Sequence, residues 1–153
     1  MTFENAMPTT PVLSLIRELA SCYQAFEAYS LQQIRGFGLT ACQFDIIATL
    51  GNTSGLSFRD LGSRTLITKG TLTGVVDRLT EKGLVRRIAD PDDGRSQIVM
   101  LTEQGEALFA DIFPRHVQYL NEALATLSAE EIGQMQLMLQ RLGGAFTDKK
   151  EIA

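Results

Sequence analysis

The chain has 153 residues, 44% of them apolar and 21% charged, which suffices for a sizeable core and is ordinary for a soluble globule. Its net charge is −4, no uncharged stretch approaches the ~18 to 20 apolar residues that span a bilayer, and the start lacks the basic residues of a secretory signal, so a cytoplasmic protein with no membrane partner is expected. Two cysteines, Cys22 and Cys42, are too few for a disulfide framework and lack metal-ligand spacing; with one histidine and no phosphate loop, neither a metal, a cofactor nor an enzyme's cluster of nucleophile and base is expected.

In chain order, the apolar residues first step by four and three. Val12, Ile16, Leu19, Tyr23 and Phe26 share one face of a helix. Thr40-Ala41-Cys42-Gln43 is a capping box that opens a second helix running through Leu50. Ser57 caps a short third helix ending at Arg64, and Thr65, Leu66 and Ile67 turn the chain tightly into a fourth. There Leu72, Val75, Val76 and Leu79 recur at the helical period, with Thr68 as N-cap and Gly83 as stop, while Gly70, Gly74, Asp77 and Glu81 line the opposite face. A glycine inside a helix costs about 1 kcal/mol relative to alanine. Two of them one turn apart on the outward face, beside Thr71 and Thr73, imply a use: the helix backbone can approach another surface closely, as entry into a DNA major groove requires.

Leu84 to Ala89 and Gln97 to Leu101 are β-prone runs separated by Asp90-Pro91-Asp92-Asp93-Gly94-Arg95-Ser96, a turn-rich segment, so they form a hairpin whose tip carries Arg95. An arginine on a protruding loop suits the minor groove, where the negative potential is concentrated. Thr102 then caps a long helix with Phe109, Ile112, Phe113, Val117, Leu120 and Leu124 on one side and Pro114 inside it, where a kink is expected. A second capping box, Ser128-Ala129-Glu130-Glu131, starts a last helix expected to turn Ile132, Met135, Met138, Leu139 and Leu142 inward. The fold class is thus mainly α with a small β-hairpin wing: a winged helix-turn-helix over residues 38–101, flanked by helical regions at 11–36 and 102–146, within one domain of 1–153.

Charge is unevenly placed. Between Ser57 and Val99 eight basic residues face six acidic ones, a net +2, which leaves −6 for the rest of the chain. A mildly basic reader in an acidic body orients itself on DNA by steering. The flanking helices carry more apolar surface than the winged domain needs to cover, so a second copy is the expected partner. A two-fold homodimer would read a pseudo-palindrome with half-site centres roughly 10 bp apart or slightly more.

Eight segments in order resemble the signatures of the MarR (multiple antibiotic resistance regulator) family: Gln43-Phe44-Asp45-Ile46-Ile47, Leu56-Ser57-Phe58-Arg59-Asp60-Leu61, Thr68-Lys69-Gly70-Thr71-Leu72-Thr73, Asp77-Arg78-Leu79, Lys82-Gly83-Leu84-Val85-Arg86-Arg87, Asp93-Gly94-Arg95-Ser96, Leu101-Thr102-Glu103-Gln104-Gly105 and Leu127-Ser128-Ala129-Glu130-Glu131. The resemblance runs from about Val12 to Leu142 and implies a homodimeric winged-helix regulator of transcription, usually a repressor released by a small aromatic or lipophilic ligand or by an oxidant. Gly94 and Gly74 depart from the family, where many relatives carry a basic or large polar residue. Resemblance and geometry together place Thr68, Lys69, Gly70, Thr71, Thr73 and Gly74 at the major groove of double-stranded DNA, with Arg78 on the backbone and Arg95 in the minor groove beside Asp93. Ser57 is mainly a cap at this interface. Arg59 and Arg64 are either phosphate contacts or solvated charges, and Asp77 either orients a neighbouring arginine or accepts from a cytosine amine.

For an effector, the resemblance implies a site between the helical region and the winged domain, with Arg17, Tyr23, Phe26, Phe44 and His116 as candidates by position; an arginine there would suit a carboxylate. Cys22 is a candidate redox residue, because some relatives sense peroxide through a cysteine in the first helix. A thiol-based oxidant sensor is therefore an alternative to ligand release. A further alternative is a protein-interaction module on the same scaffold, since fold does not dictate function.

Overall fold

The computed structural model describes residues 10–147, so both ends of the expected 1–153 domain lie outside the described residues. The order is α1 (Pro11–Gly36), α2 (Ala41–Leu50), β1 (Leu56–Ser57), α3 (Phe58–Arg64), α4 (Lys69–Glu81), β2 (Val85–Ala89), β3 (Gln97–Leu101), α5 (Glu103–Ala123) and α6 (Ala129–Thr147). Two compact units result, one reaching His116 and one starting at Val117, with the boundary inside α5.

Local chemistry sets the helix starts. Pro11 follows Thr10, whose hydroxyl accepts from the Leu13 amide at 3.4 Å. The α2 capping box is complete, with Thr40 and Gln43 bonding reciprocally at 3.1 and 3.2 Å. At α6 the Ser128 hydroxyl accepts from the Glu131 amide at 3.1 Å, and the Glu131 carboxylate accepts from the Ser128 amide at 2.8 Å. α4 ends where Gly83 takes φ +73°: the Leu84 amide reaches back to the Leu79 carbonyl at 3.0 Å and that of Gly83 to Thr80 at 2.9 Å. This left-handed exit turns the chain directly into β2.

The hairpin pairs Val85 with Leu101 through to Ala89 with Gln97, and the base is closed by Thr102, whose amide donates to the Leu84 carbonyl at 3.0 Å. A third strand joins it: β1 pairs with β3, Leu56 opposite Val99, giving the antiparallel order β1-β3-β2. The expected two-stranded wing is therefore one edge of a three-stranded sheet. Two residues are too short to show strand periodicity in sequence.

The core of the first unit is built from Ile46, Ile47 and Leu50 of α2, Leu61 of α3, Val76 and Leu79 of α4, Val85 and Val99 of the sheet, and Ile112 of α5. Leu72 is also buried and Val75 half-buried, so the α4 stripe faces inward as expected. Two glycines make this packing possible. A Cβ on Gly105 would lie 2.0 Å from the Leu84 carbonyl oxygen, and one on Gly51 would lie 2.1 Å from the Phe109 ring.

The terminal helices keep their apolar stripes exposed, and only the inward turn expected of α6 is not found. Among the described residues Ile132, Met135, Met138 and Leu139 are exposed and no residue of α6 is buried, so the stripe expected to turn inward is open. Val117 and Leu124 of α5 are likewise exposed. The amphipathic period identified the stripe, and its exposure in one chain leaves it open to the second copy expected as its partner. On α1, Val12, Ile16, Tyr23 and Phe26 stand exposed, and burial begins only at Ser30 and Ile34. α5 continues as helix through Pro114.

Candidate nucleic-acid interface

Lys69, Gly70, Thr71, Thr73, Gly74 and Arg78 are all exposed, with Gly70 and Gly74 on the side of α4 opposite Leu72, Val76 and Leu79. Nothing lies within 4 Å of a Cβ built on Gly70 or Gly74, so this chain itself gives neither position a steric need for glycine. Thr68 is the residue before α4, but its hydroxyl does not take a helix N–H; it donates to the Thr71 hydroxyl at 3.2 Å. The expected side-chain cap does not form, and the Thr68 hydroxyl makes a threonine pair instead. The Thr68 side chain does not cap α4; the Thr71 amide donates to the Thr68 carbonyl at 3.0 Å, and the Lys69 and Gly70 amides, with no partner among the described residues, remain available to an outside acceptor such as a phosphate.

The turn before α4 is anchored from behind. The Leu66 amide donates to the Asp45 carboxylate of α2 at 3.2 Å, while the Thr65 hydroxyl donates back to Leu61 at 2.8 Å. Burial raises the Asp45 pKa above the ordinary carboxylate value, and the Leu66 hydrogen bond pulls the other way. Lys82, at the far end of α4, reaches the Gly38 carbonyl at 3.3 Å and the Gln43 amide oxygen at 3.5 Å. The recognition helix is therefore held at both ends by α2 and the loop before it.

On α3, Ser57 accepts from the Asp60 amide at 3.1 Å, and Arg59 is exposed. The wing loop is knitted by aspartates. Asp93 accepts from the Arg95 amide at 3.1 Å and the Ser96 hydroxyl at 3.3 Å, and Asp90 accepts from the Asp92 amide at 2.9 Å. These bonds fix the backbone of Arg95 and leave its side chain exposed. Asp77 is ion-paired with Arg87 of β2, and the Arg87 guanidinium lies 5.2 Å from the centre of the Phe58 ring. Of the two roles open to Asp77 in the sequence, the structure shows a pairing with a neighbouring arginine, Arg87, to which the sequence gives no role.

The five effector candidates fall into two groups. Tyr23 and Phe26 pair on the exposed side of α1, with ring centroids 6.3 Å apart, and Arg17 is exposed on the same helix. Phe44 and His116 are buried and lie 4.6 Å apart. His116 Nδ1 meets the Gln33 amide oxygen at 2.8 Å, so it carries the proton, and Nε2 lies 3.2 Å from the Ser30 hydroxyl, which donates to it. Burial lowers the His116 pKa below its ordinary value. Ser30 and Gln33 went unnoticed in sequence, where polar residues late in an amphipathic helix read as solvated. A surface groove of about 530 Å³ lies elsewhere, lined by Phe37, Leu39, Lys82, Leu84, Leu108 and Asp111 among others and by none of the five candidates. Cys22 is exposed and Cys42 half-buried.

Residues 37–96 match the sequence model of the MarR family. The chain is 32% identical over 135 residues to the HTH-type transcriptional regulator MhqR of Bacillus subtilis (strain 168), covering 88% of this chain and 93% of that one. It is 28% identical over 138 residues to the homoprotocatechuate degradative operon repressor of Escherichia coli, with coverage of 90% and 93%. Among solved structures, Bordetella bronchiseptica BpsR, described for the regulation of its DNA binding by 6-hydroxynicotinic acid, superposes with a TM-score of 0.74 at 29% identity, covering 83% of this chain and 91% of that one. Helix, turn, helix and wing in this order, with a relative of this identity matched over nearly its whole length, establish that the chain belongs to the MarR family of winged-helix, DNA-binding transcriptional regulators and is not an enzyme.

Proposed function

We propose that the protein is a homodimeric repressor that binds a pseudo-palindromic operator and is released by a small aromatic or lipophilic ligand. In this reading Thr68, Lys69, Thr71 and Thr73 address base edges and phosphates in the major groove, and Gly70 and Gly74 allow the backbone to approach. Arg78 and Arg59 hold the DNA backbone, Ser57 positions the start of α3, and Arg95 enters the minor groove from a loop that Asp93 stiffens. The observation that carries it is the pairing of an open, side-chain-poor face on α4 with an exposed arginine on an aspartate-braced loop. Exposed apolar stripes on α1 and α6 support a second copy as the cover. BpsR and the homoprotocatechuate operon repressor support an aromatic acid as the releasing signal.

Fluorescence anisotropy with the duplex upstream of the protein's own gene, titrated across salt, tests the reading. Binding should weaken steeply with salt, and Arg95→Ala should lower affinity and flatten the salt slope by about one. A protein that ignores every duplex at low ionic strength would overturn it in favour of an interaction module. The same assay separates the two release mechanisms: an aromatic acid should dissociate the complex whether or not Cys22 is changed to Ser, whereas an oxidant sensor would respond to peroxide and lose the response in Cys22→Ser.

A further inference from the structure

Arg87 sits on the inward side of the hairpin. Along β2 the side chains alternate, Val85 and Arg87 turning toward the helices while Arg86 and Ile88 turn out. Its side chain is 26% exposed, its Nε is buried with no hydrogen-bond partner, and its guanidinium pairs with the Asp77 carboxylate on α4 and lies on the ring of Phe58 at the start of α3. A phosphate-gripping arginine presents its fork to solvent, as the exposed Arg86 does; this one is committed to a junction of three elements. Asp77, 54% exposed on the outward face of the recognition helix, places a negative charge where DNA phosphates would come. For a DNA-binding surface that charge is a handicap unless it has a structural use.

We propose that Arg87, Asp77 and Phe58 form a brace that fixes the angle between the wing and the recognition helix, making Arg87 and Asp77 positioning residues for DNA binding rather than DNA contacts. The inference rests on the DNA-binding reading above. Two rigid elements must enter two grooves together, and a wing free to swing would have to be ordered at the moment of binding, at a cost in affinity. The planar guanidinium suits this place because it can stack on a ring and pair with a carboxylate at the same time.

Electrostatics and bracing predict opposite signs for one substitution. Asp77→Asn removes a negative charge from the DNA-facing side, so charge alone predicts tighter binding; loss of the brace predicts weaker binding. We expect Asp77→Asn and Arg87→Gln each to weaken duplex binding about three- to tenfold with the salt slope unchanged, and the double variant to be no worse than either single one. In an Arg95→Ala background, where the wing has already lost its groove contact, Asp77→Asn should cost almost nothing further. Tighter or unchanged binding by Asp77→Asn, a slope lowered by about one in Arg87→Gln, or an equal loss in both backgrounds would overturn the brace. Amide hydrogen exchange keeps the test independent of DNA: exchange over residues 85–101 should quicken equally in the two single variants and the double, and unchanged exchange would contradict the proposal. Failure of the unaltered protein to bind any duplex would strike the DNA-binding reading and leave the exchange result to decide the brace.

Discussion

Gly74 and Gly105 are glycines for opposite reasons, and the difference is measurable. Gly105 has no room: its Cβ would lie 2.0 Å from a backbone oxygen where α5 leaves the sheet, so Gly105→Ala should destabilise the fold by about 2 kcal/mol or more in denaturant titration. Gly74 has only open space, so Gly74→Ala should raise stability by up to about 1 kcal/mol while lowering affinity for DNA. A variant that gains stability and keeps full affinity would show that close backbone approach is not why glycine stands there. His116 adds a pH signature. Its buried imidazole is held neutral, so the folded pKa lies below the unfolded one near 6.5. The unfolded chain then takes up a proton that the folded one refuses. The contribution is intact above about pH 6.5 and is lost progressively as pH falls from there toward the folded pKa. His116→Gln should flatten the stability profile across that window; an unchanged profile would assign acid sensitivity to other groups.

At the scale of elements, the sequence was most legible where a periodic stripe met a cap. Both capping boxes, the Ser57 cap and the Gly83 stop formed as read, because each depends only on residues within one turn. What stayed hidden depends on distant partners. β1 is strand only because Leu56 and Ser57 meet β3 some forty residues later. The proposed interface positions on α4 and the wing were legible as exposed ones, whereas the Arg87 junction was not, since neighbouring arginines Arg86 and Arg87 differ only in which way the pleat turns them. Thr102 joins two elements: its hydroxyl donates to the Gly83 carbonyl at 2.6 Å and accepts from the Gly105 amide at 3.1 Å, tying the exit of α4 to the start of α5. Thr102→Ala should therefore cost about 1–2 kcal/mol by calorimetry or denaturant melt. A loss of only a few tenths would mean that water replaces both bonds.

For the whole molecule, the proposed homodimer accounts for two features that a lone chain does not. One is the line of exposed apolar residues on α1, Val12, Ile16, Tyr23 and Phe26; the other is α6, none of whose described residues is fully buried and which exposes Leu137, Met138 and Leu139. Left in water, such stripes are a liability that a symmetric partner removes. A net charge of −4 does not oppose DNA binding in this arrangement, because the segment from Ser57 to Val99 is net positive and pairing two copies presents two such segments to one duplex. In the proposed function two chains together read one palindrome through both grooves. Sedimentation equilibrium of the protein alone and with the duplex from upstream of its gene tests it most directly. A homodimer should sediment free at twice the 16.8 kDa chain mass and form a complex of that pair with one duplex; a 16.8 kDa particle that leaves the duplex unbound at low salt would overturn it.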